Sequence, residues 1–548
     1  MNDFVDKLAT AISAPKLWLK NRIIPSSMYS KDFTEGWMLN TEFGIPFCYI
    51  PSVTNDNYEF VEQNIYGILN GKNDINLAIL LTENNSFNVY KWNYLKNNVQ
   101  KHTGKFDVFK SFDKKYWYKK SLNKSDSKNE LELITSKIEN KIFQIHSFIR
   151  DIDALHPDAA LDEICKLLYV KIYDEEITKK GDYYKFQRNR YITTEECASV
   201  IRNLYKEANE HDYRVFSLRI PGYKRSRGVF DTPIMLSSEA IVKVVEHIQA
   251  LSFSNSEIDL KGRIFQNLIS PVLRGGFGQY FTPFEVVEFI VNLIKPTLND
   301  LIIDPFAGSG HFLTSSIRYV KKNNQDVTHK KIDDFLFTHL HGMEISERMV
   351  RISMTDMRLH GDGHSNIRCV DALLDFSNYQ DLHKDSFDVV MTNPPFGSLL
   401  NTDGLTKIGD FSLAKPKKNT PLEVLGLERS TELLREGGKI AIVLPESVFV
   451  NSNLKYVRDW IVSNIHVLAL ISLPIETFSP YGANIKTSIL IGKKTLSEVA
   501  RPDSKSKVFI AEVKNIGYDS SGRKVEKSDL DSIMKEFNQF IKKSKIKW

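Results

Sequence analysis

The chain has 548 residues, 42% hydrophobic and 26% charged, with a formal net charge of +5. That length exceeds what one hydrophobic core organises, so several domains are expected. No apolar run approaches the ~20 residues of a bilayer-spanning helix, which argues against a membrane protein, and so small a net charge does not by itself point to nucleic acid.

In chain order, Met1-Asn2-Asp3-Phe4 begins acidic and leads into no signal-like apolar stretch, so a cytoplasmic location is expected. Residues 1–120 are read as a small α/β or α+β domain, with 76–81 a buried strand and 86–92 an alternating one. Residues 121–130 are almost all Ser, Asn, Lys, Asp and Glu and form the expected linker. Over 131–270 apolar residues recur at helical spacing, as in Leu161, Ile164, Leu167, Leu168 and Ile172, which predicts a helical domain. From 271 to 500 short apolar runs alternate with helix-like stretches, at 301–303, 339–343, 387–391, 439–444 and 467–471. That rhythm predicts an α/β domain built on a doubly wound, mostly parallel sheet. Residues 501–548 are read as a basic tail with helical spacing. Cys48, Cys165, Cys197 and Cys369 lie far apart, with no metal-ligand spacing, so reduced thiols and no metal are expected.

The run Asp304-Pro305-Phe306-Ala307-Gly308-Ser309-Gly310-His311 follows a predicted strand and precedes a predicted helix. A glycine turn in that place lets backbone approach a ligand closely. The absence of Gly-Lys-[Ser/Thr] excludes a triphosphate loop. Asp304 at the strand end suits an ammonium-bearing ligand, so an amino-acid nucleoside is the expected occupant. One βα unit later Glu344 stands at a strand tip, where a carboxylate accepts from both ribose hydroxyls. Asp371, after the third strand, is placed to accept from an adenine amine, although an acid at a strand end is as often a helix cap. Upstream, Gly278-Gln279-Tyr280-Phe281-Thr282-Pro283-Phe284-Glu285 reads as a strong helix start. Thr282 is the expected N-cap, Pro283 the first helical residue, Glu285 the closing member of a capping box, and Phe281 a staple onto Val286.

The most specific element is Asn393-Pro394-Pro395-Phe396-Gly397, directly after the strand at 387–391. Two prolines fix a rigid turn and remove two N–H groups, leaving the Asn393 amide and the Pro394 carbonyl to face a substrate. Both accept hydrogen bonds from an NH2 group, which shifts lone-pair density toward a poorly nucleophilic amine nitrogen. Phe396 offers an aromatic face for a planar base, a contact worth ~1–3 kcal/mol.

With these motifs the chain resembles the N6-adenine DNA methyltransferase family, specifically the modification subunits of type I restriction-modification systems. The resemblance covers roughly residues 155–494, including 278–283, 304–310, 393–397, 422–425, 437–445, Leu473-Pro474 and 486–490. It implies a Rossmann-like methyltransferase sheet, S-adenosyl-L-methionine as cofactor, and methyl transfer to the N6 amine of an adenine flipped out of double-stranded DNA. By the same resemblance Gln279, Tyr280, Phe281, Thr282, Pro283 and Phe284, Ser309, Gly310 and His311, and Glu344 contact the cofactor. His311 departs from the family, which often has glycine there.

Residues 398–420, rich in Gly, Lys, Asp, Asn and Thr, are read as a mobile loop able to close on DNA. Two Arg/Lys-plus-aromatic clusters, 219–227 and 114–120, have the character of phosphate contacts and equally of an ordinary solvated surface. About fifty residues after Thr495 are too few for a target-recognition domain, so a separate specificity subunit is the expected partner and a restriction subunit a further one. The competing readings are methylation of an RNA base amine or a protein glutamine, and a non-catalytic scaffold in a defence complex.

Overall fold

The computed structural model describes residues 23–25, 36–40, 46–51, 58–69, 75, 77–81, 87–93, 98–103, 122–124, 131–134, 139–191, 193–220, 222–256, 262, 265, 281–361, 366–401, 408–414, 419–495, 507–546 and 548. The chain divides into two compact units interleaved in sequence. One comprises Met1–Leu155, Leu167–Ala208 and Pro233–Ser256, and the other His156–Lys166, Asn209–Thr232 and Glu257–Trp548.

The first unit holds a six-stranded sheet in sequence order, β1 (Ile23–Pro25), β2 (Gly36–Asn40), β3 (Pro46–Pro51), β4 (Leu77–Leu81), β5 (Phe87–Asn93) and β6 (Asn98–Thr103). Neighbours are antiparallel except β3 and β4. A parallel pair needs a long crossover, and here helix α1 (Tyr58–Ile68) supplies it, burying Val61 and Ile65 against Met38, Tyr49, Ala78 and Tyr90. Farther on, β7 (Glu132–Leu133) precedes helices α2 (Glu139–Asp153), α3 (Pro157–Ile177), α4 (Thr194–Arg219) and α5 (Ser238–Ile248). Then β8 (Leu251–Ser252) pairs with β7 in parallel. The apolar residues singled out on α3, from Leu161 to Ile172, are all buried. Both α3 and α4 contribute residues to each unit.

The second unit is an α/β fold. In order come α6 (Phe284–Ile294), β9 (Ile302–Asp304), α7 (His311–Asn323), β10 (Leu340–Glu344), α8 (Glu347–Leu359), β11 (Ile367–Cys369) and β12 (Phe387–Thr392). There follow β13 (Leu399–Asn401), β14 (Asn419–Pro421), α9 (Leu422–Leu433), β15 (Leu434–Pro445), α10 (Lys455–Asn464), β16 (Ile465–Leu473), β17 (Thr487–Lys494), β18 (Phe509–Glu512) and α11 (Leu530–Lys543). Eight strands make one sheet in the order β11-β10-β9-β12-β15-β17-β16-β18. From β11 to β15 neighbours are parallel, β17 is antiparallel to both of its neighbours, and β18 is parallel to β16.

Side chains alternate across this sheet, as the pleat requires. Ile302, Val389 and Ala441 enter one core with Val287 and Ile290 of α6, Leu313 and Ile317 of α7, and Val350 and Met354 of α8. Their neighbours Ile303, Val390, Ile440 and Ile442 enter the opposite core with Val424 and Leu427 of α9 and Val457 and Ile461 of α10. Helices on both faces explain why the strands read as continuous apolar runs. From Met349 on, helix α8 is buried even at charged positions, where Arg351 makes a two-pronged pair with Asp162 at 2.6 and 3.1 Å and Arg358 meets Asp212 at 3.1 Å.

One expectation is corrected. Residues treated as a tail join the sheet as β18 and pack Ile533 and Phe537 of α11 into the first of these cores. Of the loop expected at 398–420, the ends are paired, Leu399 opposite Pro421 and Asn401 opposite Asn419, while residues 402–407 and 415–418 lie outside the described residues. Among the described residues, no helix is long and apolar enough to cross a membrane.

Candidate active site

The chain runs outward from β9 to β10 and β11, then returns to place β12 on the other side of β9. Strand order therefore reverses between β9 and β12, and at such a point the loops beyond the strands' carboxyl ends part to leave a crevice. A cavity of about 300 Å³ lies there, lined among others by Phe281, Thr282, Asp304, Ala307, Gly308, Ser309, His311, Glu344, Asp371, Asn393 and Pro395. Motifs spread over more than a hundred residues of sequence thus share one wall.

After β9 the turn is drawn tight by Ala307 N–H donating to Met343 O at 2.9 Å and Gly310 N–H donating to Ala307 O at 2.7 Å. Gly308 and Gly310 have φ of +51° and +82°, values that L side chains rarely adopt. A Cβ on Gly310 would also stand 2.3 Å from Ser353 Oγ of α8. Gly310 caps α7 and His311 opens it, so the helix's first N–H groups border the cavity. Burial pushes the His311 imidazole below the usual histidine range, which keeps it neutral.

Glu344, at the end of β10, accepts from Gly308 N–H at 3.0 Å through one carboxylate oxygen and from Ser346 N–H at 2.8 Å through the other. Each oxygen keeps a lone pair for a further donor. Burial raises its pKa against these hydrogen bonds. Asp371 accepts from Leu373 N–H at 2.9 Å, so it is a turn-closing residue that also lines the cavity. Asp304 is 1% exposed and its carboxyl is pushed up to about 7 by burial, against donors from the Thr392 hydroxyl at 2.6 Å and the Phe306 N–H at 3.1 Å.

Not every expected residue is placed as anticipated. Gln279 and Tyr280 lie outside the described residues. Helix α6 begins at Phe284 with Pro283 as its N-cap and no side-chain cap. Thr282 is therefore one position too early to cap and instead faces the cavity. Pro283 gives its carbonyl to the N–H groups of Val286 and Val287, and the Phe284 ring lies 4.6 Å from the Arg318 guanidinium; neither lines the cavity. Phe396 is 5% exposed and meets Phe478 edge-on at 6.1 Å, so the aromatic face expected beside the cavity is packed in the core instead. Pro394 is likewise outside the lining and packs toward Gly426 of α9.

Sequence reading passed over Thr392, whose hydroxyl ties the residue before Asn393 to Asp304. It also passed over the apolar wall of Phe306, Ile345, Leu373, Leu400, Ile408 and Leu422. Of the basic clusters, the one at 219–227 has its three arginines engaged within the fold. Arg225 pairs with Glu210 at 2.7 Å and Asp231 at 2.6 Å, Arg227 with Asp381 at 2.9 Å, and Arg219 stacks on Phe337. The cluster at 114–120 lies outside the described residues. Among the described residues, no group of three or more His, Cys, Asp or Glu side chains is arranged to hold a metal.

The type I restriction enzyme EcoEI methylase subunit of Escherichia coli is 27% identical over 385 residues, 64% of this chain and 75% of the relative. The EcoKI methylase subunit of the same species is 30% identical over 240 residues, 42% of each chain, so the match spans less than half of that relative. In fold, the chain is similar to the type I restriction-modification methyltransferase subunit of Streptococcus thermophilus, with a TM-score of 0.51 at 16% identity, over 74% of this chain and 93% of that one. The family model for N-6 DNA methylases matches residues 256–548, more than half of the sequence and the entire eight-stranded sheet. This chain belongs to the N-6 DNA methylase family.

Proposed function

We propose that the chain transfers a methyl group from S-adenosyl-L-methionine to the N6 amine of adenine in double-stranded DNA, as the modification subunit of a type I restriction-modification system with a separate specificity subunit. The observation that carries this reading is the single cavity in which the glycine turn, Glu344 and Asp371 meet Asn393 and Pro395.

The residues present fit the cofactor. A side chain at Gly310 would close the cradle, three carboxylates line the cavity, and Phe281, Phe306 and Ile345 give it an apolar wall. Glu344 would take the ribose hydroxyls, Asp371 the adenine amine, and Asp304 with the start of α7 the amino-acid end. When bound, the cofactor supplies an electrophilic methyl group. The chain's part is to hold a flipped adenine with its amine against Asn393. The Asn393 amide oxygen and the Pro394 carbonyl accept the two amine hydrogens, which localises the nitrogen lone pair toward the cavity. No strongly basic group is required, because the proton is lost from an amine already acidified by bond formation. Restriction and specificity subunits as partners, and a flipped base as substrate, belong to this proposal and rest on the named relatives.

The test is transfer of tritiated methyl from S-adenosylmethionine to genomic DNA lacking adenine methylation, with and without the protein of the neighbouring specificity gene. Label recovered as N6-methyladenine supports the reading, and dependence on the partner supports the subunit role. Cofactor binding without label in DNA, with or without the partner, would sink it and favour an RNA, protein or scaffold role.

A further inference from the structure

We infer that the start of α9 is a brace that fixes the position of the 393–397 turn, with Glu423 as its positioning residue. The inference rests on reading that turn as the place of transfer.

Pro394 and Pro395 carry no N–H, so after Asn393 the turn has donors only at Phe396 and Gly397. The carboxylate of Glu423, in the first turn of α9, faces two backbone N–H groups that favour its anion, its own and that of Gly397, which sits at φ +78°. That carboxylate is buried, and its Oε2 has no hydrogen-bond partner among the described residues. An apolar residue would fill the same space without the penalty of a buried, half-satisfied carboxyl. What glutamate supplies there is an acceptor for one of the turn's few handles. Burial also raises its pKa, and a carboxyl keeps an oxygen able to accept from an N–H whether ionised or not.

Two independent contacts place the same helix end against the turn. Three residues on, and therefore on the same face, Gly426 leaves no room for a side chain: a Cβ would stand 2.7 Å from Pro394 Cβ and 3.1 Å from the Phe306 ring. The helix backbone thus abuts the catalytic turn and the glycine-rich turn at once. In addition, Leu422 N–H donates to Ser398 O at 3.0 Å, and β13 pairs with β14 immediately before α9 begins. The exit of the turn is tied to the helix that Glu423 opens. A shift of about 1 Å in the acceptors of a reacting group costs on the order of 100-fold in rate, so a brace of this kind acts on turnover rather than on cofactor affinity.

The experiment uses the full chain with the neighbouring specificity protein, and compares Glu423→Ala, Glu423→Gln and Gly426→Ala with wild type. Single-turnover transfer to unmethylated DNA, KM for DNA, cofactor Kd by calorimetry and the thermal midpoint are measured for each. Expected for Glu423→Ala is a transfer rate lower by about 10- to 100-fold, with cofactor Kd and KM for DNA little changed. Glu423→Gln, which keeps an acceptor for Gly397 N–H, recovers most of the rate. Gly426→Ala loses rate as Glu423→Ala does, although alanine is the better helix former by ~1 kcal/mol. The brace is refuted by a wild-type rate in Glu423→Ala or in Gly426→Ala, or by Glu423→Gln being as slow as Glu423→Ala. Wild-type protein that binds cofactor and labels no DNA overturns the transfer reading itself, and the brace with it.

Discussion

Replacing Asp304 by asparagine separates charge from shape at the floor of the cavity. Burial disfavours the anion and pushes this carboxyl up to about 7 from its ordinary 3.8. At ~1.36 kcal/mol per unit, that shift corresponds to about 4 kcal/mol withheld from the ionised form. A ligand carrying sulfonium and ammonium charge restores the anion, so below pH 7 binding must expel a proton from Asp304. Affinity is then expected to fall about 50-fold in all between pH 7 and 5, with about 0.9 proton released on binding at pH 6. The ligand's own ammonium, titrating at ~7.7–8.0, stays protonated over this range. Calorimetric titration of S-adenosylmethionine in two buffers of different ionisation enthalpy reads both quantities. Asp304→Asn should bind more weakly by about 10- to 100-fold at pH 7.5, the size of a lost charge-assisted contact of ~1.5–3 kcal/mol, and should lose most of the pH slope. A slope in the variant equal to that of wild type would assign the proton to another group and refute the argument. Without ligand the sign reverses for folding. The buried acid favours the native state at low pH, and that contribution is lost as pH rises from about 4 toward 7, because the unfolded chain ionises freely there.

Further outcomes follow from the same geometry. Asn393→Ala should abolish transfer while leaving cofactor Kd close to wild type, whereas Glu344→Ala should weaken the cofactor strongly; equal losses of affinity in the two would contradict the roles given to them. Thr392→Val leaves Asp304 one donor short in a buried place, so its carboxyl should titrate above about 7 and stability at pH 8 should drop by ~1–3 kcal/mol, readable in urea melts. Gly310→Ala meets both a left-handed backbone and Ser353 at 2.3 Å and should lower the thermal midpoint and cofactor affinity together. At Asp381 burial opposes ionisation, yet Arg368 and Arg227 outweigh it and hold the carboxyl well below the usual range. Its contribution is therefore present above pH ~4 and lost as pH falls further, and Asp381→Asn should flatten that acid loss in melts from pH 5 to 3.

The strands that build the site were readable because both of their faces are covered. Buried runs such as those at β9, β12 and β16 contain almost nothing but apolar residues, and the turns that follow carry glycine or proline where the backbone demands it. What escaped depends on neighbours that only the folded sheet supplies. Thr392 is an ordinary strand-end threonine until β9 and β12 lie side by side and set its hydroxyl on Asp304. β18, with Ile510 exposed and Phe509 only half-covered, has the mixed pattern of an edge strand and reads as tail. The position of Phe396 was misread because an aromatic next to two prolines is equally suited to a base and to the core, and Phe478 decides the matter from eighty residues away. The cap at Thr282 failed by a single residue, the error that capping patterns make when proline can take the place of the cap.

Glu344 has a consequence of a different kind. By accepting from Gly308 N–H and Ser346 N–H, it ties the glycine turn of one strand to the tip of the next. With both oxygens held at fixed positions, the proposed ribose role of Glu344 implies that ligands lacking a vicinal diol bind more weakly, for want of what they would offer that carboxylate.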